Sequence, residues 1–355
     1  VKDHTMKRHD SALMICLALG VGCASSSSTS SSTSPDSDQA EADQAGAADA
    51  PKSTRKPRQA TGTKAAGSRK GVKKLSAKNP PRDPGDNKLV AVPSTGKPLA
   101  ITSFVPTAAS PGSAVEIFGG GLSDKAKVTV GGVSWKVAEA TKERLVATVP
   151  KNAKDGKIKV KVGKRTATSE GSFAVLEDDG GFGKPSVDAV HGLLGNVYVI
   201  GKQVSELPAF DDLGNPTAVI AVDTLDVPPR DFKQGFPGVE SDVNEWFAIH
   251  FRGSLNVVEG QGGEYNLCLN SDDGSLLYLD ETPVVDNDGV HAPKEKCELV
   301  YLQAGEYQVD LLYFQGPRYE IALQWSWAKD GGEKTIVPSD VLFRPRDRHS
   351  MGPGQ

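Results

Sequence analysis

The stretch from Tyr265 to His291, YNLCLNSDDGSLLYLDETPVVDNDGVH, most narrows what this chain can fold into. Tyr265, Leu267 and Leu269 alternate with Asn266, Cys268 and Asn270, the period of a half-buried strand and not of a helix. Ser271-Asp272-Asp273-Gly274 then turns the chain, because Asp side chains bond to the backbone beyond them and glycine takes a positive φ without steric cost. Leu276 to Asp280 is expected to return as the second strand of a hairpin. Val284-Val285 forms a third apolar run, closed by Asp286-Asn287-Asp288-Gly289. Two turns loaded with carboxylates therefore fall close together.

The same grammar runs through the rest of the chain. Glycine and proline are plentiful, 38 and 23 of 355 residues, and no long amphipathic helical pattern interrupts them. Short strands and turns follow, hence an all-β protein. The formal net charge of −4 sets up no global field that would gather nucleic acid.

The N-terminus reads as an address. Met6-Lys7-Arg8 is a positive n-region, and Ser11 to Val21 is an apolar run too short to span a bilayer. Gly22-Cys23-Ala24-Ser25 follows. The arrangement resembles a bacterial lipoprotein signal over 1–23, which implies lipidation of Cys23 and a cell-envelope location, at the outer membrane facing the periplasm or the cell surface. Gly20 stands where such signals usually carry Leu. An ordinary secretory signal with an incidental cysteine is the alternative.

Residues 24–97 are expected to be a disordered linker. Ala24 to Ser34 is almost all Ser and Thr, Pro35 to Asp49 is acidic, and Lys52 to Lys88 holds twelve Lys/Arg against two Asp. No aromatic residue is interleaved with these charges, so base stacking has no platform and a nucleic-acid partner is not expected. A solvated tether and a tether resting on anionic envelope polymers both suit this composition.

Residues 98–176 carry the pattern of a small β-sandwich. Ile101 to Pro106 opens it and Pro111-Gly112 is a turn. Ala114 to Phe118 alternates, Gly119-Gly120-Gly121-Leu122 breaks the pattern, and Lys127 to Val130 resumes it. Leu145 to Pro150 is a further strand. Lys157 to Val162 alternates Lys with Ile or Val, one apolar face and one basic, solvated face. The opening S-x-x-P, the P-G turn, the G-x-G-L break and the V-P resemble the IPT/TIG family of immunoglobulin-like domains, which implies a spacer.

After a short linker over 177–187, residues 188–345 form a larger domain, with 346–355 as a tail. Trp246, Ala248 and His250 alternate with Phe247, Ile249 and Phe251, and Trp325 and Trp327 share a face suited to core or rim packing. The SDDG turn, the strand ending in Asp280, VVDNDGVH and LQAGEYQVDLLYF resemble the protective-antigen-type, or PA-fourteen, β-sandwich. Its lectin members hold Ca²⁺ with an adjacent Asp pair, which implies Asp272 and Asp273 as metal ligands here. Adjacent carboxylates can both face one ion if the bond between them is cis. Such members supply further ligands, commonly an Asn, from a late loop. The matching loop here is Gln315-Gly316-Pro317-Arg318-Tyr319, so Gln315 or backbone carbonyls would substitute, with Arg318 and Tyr319 beside the ligand. Cys268 and Cys297 in one domain of an exported chain are a disulfide or two buried thiols; a bridge over such a loop is worth roughly 3–4 kcal/mol on the chain-entropy model.

No catalytic motif accompanies these domains. There is no G-x-S-x-G elbow and no H-E-x-x-H helix. His191, His250 and His291 lack close ligand spacing, and carboxylate pairs for glycoside hydrolysis are defined by separation in space. The expectation is a non-enzymatic, envelope-anchored protein that binds a glycan or envelope polysaccharide, either with Ca²⁺ as its cofactor at Asp272 and Asp273 or, where Ser271–Gly274 is only a tight turn, without it. The alternatives are a structural envelope protein with a protein partner and an accessory subunit of a glycan-degrading assembly.

Overall fold

The computed structural model describes residues 71–91, 98–176, 185–239 and 243–352. The signal over 1–23, Cys23 and the linker through residue 70 lie outside the described residues. Among the described residues no helix is long and apolar enough to cross a membrane.

Among the described residues all regular structure is strand, apart from four short 3-10 turns. A first strand, β1, spans Lys73–Leu75. Eight strands follow: β2 (Ala100–Val105), β3 (Ala108–Ala109), β4 (Ala114–Gly120), β5 (Lys127–Val130), β6 (Val133–Ala140), β7 (Arg144–Thr148), β8 (Gly156–Val162) and β9 (Arg165–Val175). Their pairing runs β2-β4-β7-β6-β5-β8-β9-β3. Strand β6 pairs with β7 over one part and β5 over another, with a bulge between Val137 and Glu139. The inward residues of this path, among them Phe104, Ile117, Val128, Trp135, Ile158, Val160 and Phe173, close one core.

The larger domain comprises β10 (Leu193–Val199), β11 (Ala218–Val222), β12 (Asp226–Asp231), β13 (Phe247–Val257), β14 (Gly263–Asp272), β15 (Ser275–Leu279), β16 (Thr282–Asn287), β17 (Lys294–Leu302), β18 (Gly305–Gln315), β19 (Glu320–Lys329), β20 (Thr335–Ile336) and β21 (Leu342–Phe343). One sheet has the order β1-β17-β14-β19-β12, with β20 on β19. The other has the order β11-β10-β13-β18-β15-β16, with β21 on β13. Leu267, Leu269, Leu302 and Trp325 from the first meet Ile249, Phe251, Leu311 and Tyr313 from the second. Phe247, Ile249 and Phe251 all point inward, as their alternation requires. Trp325 is core, and Trp327 packs at its rim against Tyr265, ring centroids 5.1 Å apart.

This topology corrects the hairpin expected at Ser271–Gly274. Strand β14 pairs with β17 and β19, whereas β15 pairs with β16 and β18, so the SDDG segment carries the chain from one sheet to the other. The 303–304 segment also crosses between sheets, because β17 and β18 belong to different ones. The hairpin in this region joins β15 to β16 through Asp280 and Glu281, at φ 49° and 66°. Positive φ at two successive turn residues suits a two-residue hairpin, and Asp-Glu is not the Asn-Gly or Asp-Gly that usually announces one. Cys268 and Cys297 lie opposite each other on β14 and β17 and are bonded, Sγ–Sγ 2.00 Å.

Two domain limits also change. Residues 71–91 are not linker: β1 adds in parallel to β17, Leu75 enters the core and Arg82 is buried. Arg82 stacks on Phe343 at 4.5 Å and reaches Glu306 at 3.4 Å. Residues 346–352 are not a tail. Arg348, fully buried, donates through Nε to Glu116 Oε2 of β4 at 2.5 Å, while Arg144 Nε binds Oε1 of the same carboxylate at 2.5 Å. Arg346 bridges Asp86 at 2.9 Å and Glu306 at 3.3 Å. A buried carboxylate is tolerated only when paired, and Glu116 has one partner from its own domain, Arg144, and one from beyond it, Arg348.

Candidate functional site

Three sheet-to-sheet crossings converge at one corner of the larger sandwich: 272–275 between β14 and β15, 287–294 between β16 and β17, and 315–320 between β18 and β19. Such crossings leave backbone N–H groups that no ladder uses. Asp273 takes two of them. Its Oδ1 accepts the His291 N–H at 3.0 Å and its Oδ2 the Gly316 N–H at 2.6 Å. Asn287 ties the corner further, donating to Ser271 Oγ at 3.0 Å and the Lys294 carbonyl at 2.9 Å.

Asp272 has far less. The bond between Asp272 and Asp273 is cis. Among the described residues the Asp272 carboxylate meets only Gln315 Nε2, at a long 3.5 Å, and the Tyr313 hydroxyl donates to its backbone carbonyl at 2.7 Å. Both carboxylates are buried, at 3% and 2% relative exposure, and among the described residues no Lys, Arg or His forms an ion pair with either. Burial, with the neighbouring Asp273 charge second, pushes the Asp272 carboxyl up to about 7. Burial also raises Asp273, against the pull of the Gly316 and His291 N–H groups. The Tyr313 hydroxyl is raised well above its usual value by burial and then by the two carboxylates.

Two adjacent buried acids, with no basic side chain paired to them among the described residues, are a hard-oxygen donor set, the chemistry that suits Ca²⁺. The pair fits such an ion. No third His, Cys, Asp or Glu joins it: among the described residues the one such trio is Cys268, Glu295 and Cys297, whose sulfurs are consumed by the disulfide. Further ligands would therefore be carbonyls, water or substrate hydroxyls.

The expected loop residues divide. Gln315 is buried beside Asp272, but its Oε1 accepts the Tyr313 hydroxyl at 2.7 Å and its Nε2 donates to the Glu320 carbonyl at 3.0 Å. It holds the loop. Arg318 pairs with Glu245 at 2.7 Å, and Tyr319 stands 75% exposed at the rim. Gly316 separates Asp273 from Trp246: a Cβ there would meet Asp273 Oδ2 at 2.8 Å and the Trp246 ring at 3.6 Å. Trp246, at φ 53°, lines an open cleft of about 490 Å³ with Lys202, Gln203, Asn244, Glu245 and Arg318. The Asn244 Oδ1 is buried there without a hydrogen-bond partner among the described residues. Sequence reasoning placed Trp246 only as the start of a strand. Its left-handed backbone, the signal that separates it from β13, is not visible in residue types.

Residues 99–175 match the family model of the IPT/TIG domain and residues 238–340 that of the PA14 domain. The chain carries an IPT/TIG domain followed by a PA14 domain. No curated protein matches the sequence. Among solved structures, the chain is similar to the PA14 domain of the MpAFP antifreeze protein, with 18% identity, 46% of this chain and 97% of that one covered, and a TM-score of 0.38. It is also similar to a PA14 sugar-binding domain from an RTX adhesin, with 20% identity, 44% and 99% coverage, and a TM-score of 0.37. A third is the Epithelial Adhesin 9 A domain of Candida glabrata in complex with Galb1-3GlcNAc, with 12% identity, 43% and 88% coverage, and a TM-score of 0.31.

Proposed function

We propose that the PA14 domain is a carbohydrate-binding adhesion module, with Asp272 and Asp273 holding a Ca²⁺ ion through which sugar hydroxyls are recognised. The carrying observation is the pair of buried acids without a basic partner, at a corner that adjoins an open polar cleft with an aromatic wall. Asp272 supplies the least committed carboxylate, and Asp273 supplies charge while fixing the corner. A bound Ca²⁺ would offer a coordination point that sugar hydroxyls can enter. Trp246 presents a ring to a sugar face, and Asn244, Glu245 and Gln203 present amide and carboxylate groups to hydroxyls. Tyr319 and Arg318 stand at the rim.

The reading assigns no catalysis. His250 is engaged with Asp310 at 2.8 Å and His191 with Asp188 at 2.6 Å, each from within the sandwich framework. The IPT/TIG domain serves as a rigid spacer, joined to the PA14 domain by the buried Glu116–Arg348 pair. A lipid on Cys23 would anchor the chain at the bacterial envelope; Cys23→Ser should then move the protein from the membrane to the soluble fraction, and unchanged attachment would remove the anchor from the model.

A glycan array read with calcium and with chelator tests the binding reading. Calcium-dependent signals on neutral glycans, lost in Asp272→Asn and weakened in Trp246→Ala, are the expected result. Glycan signals that ignore chelator and both substitutions would leave the corner without this role.

A further inference from the structure

Strands β5, β6, β8 and β9 of the IPT/TIG domain present one continuous outward face. On β5, Val128 and Val130 enter the core, which turns Lys127 and Thr129 outward. On β8, Ile158 and Val160 enter the core and Lys157, Lys159 and Lys161 point out. On β6, Trp135 is buried and Ser134 and Lys136 are exposed. The register places Lys127 directly opposite Lys161, and Lys159 between Thr129 and Thr168. All five lysines are exposed, and among the described residues none forms an ion pair. The nearby acids do not answer them: Glu139 is engaged with Arg144 at 2.9 Å, and Asp124 and Glu170 form no ion pair among the described residues.

Like charges directly opposite on one sheet face destabilise it, and here a third and a fourth lysine extend the row. Alternate residues of a strand stand roughly 6.6–6.8 Å apart, and neighbouring strands about 4.8 Å. The result is a row of ammonium groups with hydroxyls of Thr129, Ser134, Thr166 and Thr168 between them. No aromatic ring faces out for base stacking, and no large apolar side chain is offered to a bilayer.

We propose that this face of the IPT/TIG domain binds a linear acidic polysaccharide, a polymer with a carboxylate or sulfate on successive sugars. Anionic groups spaced along an extended chain neutralise the opposed Lys127–Lys161 pair and the Lys157–Lys159 row together, while the threonine and serine hydroxyls meet the sugar oxygens. Binding here needs no divalent ion. The surface is independent of the Asp272–Asp273 corner.

The test uses the full chain in chelator, with polygalacturonate and dextran sulfate as separate probes and neutral dextran as control, followed by biolayer interferometry across a salt series. Lys127→Gln/Lys159→Gln/Lys161→Gln should weaken binding to at least one polyanion by roughly tenfold or more, given three lost charge contacts. The corresponding triple arginine variant should keep it. Wild-type affinity should fall steeply as salt rises. Which probe is lost identifies carboxylate or sulfate as the preferred group. Asp272→Asn should leave this binding unchanged. The proposal is overturned if the glutamine variant binds both polyanions within twofold of wild type, since residues 52–88 would then account for all attraction. Equal binding to neutral dextran, or equal competition by an oligonucleotide or by anionic phospholipid vesicles, would also overturn it. A triple glutamine variant that fails to fold, judged by its melting curve, is replaced by Lys127→Gln/Lys161→Gln, read against the same limits.

Discussion

Replacing Asp272 by Asn should convert a calcium-responsive fold into an indifferent one. Ionising Asp272 inside the fold is disfavoured, because burial and Asp273 move its carboxyl from 3.8 to about 7. That difference is on the order of 4 kcal/mol. The folded value lies above the unfolded one. The stabilisation from this group is therefore complete below the ordinary carboxylate value and disappears as pH rises toward 7. In chelator, the protein should become less stable between pH 4 and pH 7. On the proposed reading, calcium would take the ionised form and reverse the loss. At pH 7.5, with free calcium a hundredfold above Kd, binding adds about 2.7 kcal/mol. For a folded unit of this size that is a rise in Tm of about 5–10 °C. At pH 5, two units below the Asp272 value, the proton competes about a hundredfold better, and the same calcium adds only about 0.4 kcal/mol. Asp272→Asn resembles the protonated acid. It should show neither the pH slope nor the calcium shift, and in chelator at pH 7.5 it should melt above wild type. Differential scanning calorimetry at both pH values, in calcium and in chelator, reads all of this. Identical wild-type curves in the two buffers at pH 7.5, or a calcium shift that survives Asp272→Asn, would sink the assignment.

Two further outcomes follow from the fold. Reducing and alkylating Cys268 and Cys297, 29 residues apart, should lower stability to urea by roughly 3–4 kcal/mol, since the bridge closes a loop of that size in the unfolded chain; an unchanged midpoint with both thiols shown to be alkylated would contradict it. A fragment of residues 188–345 should be far less stable than 71–352, because it loses Leu75 from the core and leaves Glu306 without Arg82 and Arg346, a loss on the order of 5 kcal/mol. Equal urea midpoints for the two would show residues 71–91 and 346–352 to be ornamental.

Much of the architecture was legible because period-2 alternation survives in the central strands. Phe247, Ile249 and Phe251 fill one face of β13 as their spacing requires, and the lysines of β8 fall on the solvent side. What alternation does not encode is which sheet a strand joins. Strands β14 and β15 look like a hairpin because Ser271-Asp272-Asp273-Gly274 is turn chemistry, yet a turn and a crossing between sheets use the same residues. The true hairpin residues, Asp280 and Glu281, carry no glycine to mark them. Segment 71–91 escaped notice for a different reason. Its lysines, prolines and asparagines read as solvated, and Leu75 and Arg82 are its only buried side chains among the described residues. A single buried arginine paired with Glu306 across 224 residues leaves no local pattern. The same holds for Arg348 and Glu116, 232 residues apart.

The two aspartates were legible as a pair, but their difference was not, because it arises from the crossings on either side. Asp273 meets the N–H groups of His291 and Gly316, donors from the two other crossings at this corner, while Asp272 has one long contact to Gln315. Substitution by Asn should therefore act in opposite directions at the two positions. At Asp272, Asn removes a charge that the site does not solvate, so stability in chelator at pH 7.5 should rise. At Asp273, an amide offers one oxygen in place of two, so its NH₂ must face either the Gly316 or the His291 N–H. One buried donor is then left unpaired, at about 1–3 kcal/mol, and a charge-assisted bond is lost besides. The Asp273 carboxyl is also raised by burial, so part of that loss is offset by removing its charge. The net change in chelator should still be a lower Tm, with the 287–294 crossing loosened first. Amide hydrogen exchange at His291 and Gly316 reads this directly: faster in Asp273→Asn and unchanged in Asp272→Asn. If both variants raise Tm and leave those amides protected, Asp273 is a second cation ligand without a structural duty, and the division between the two acids is wrong.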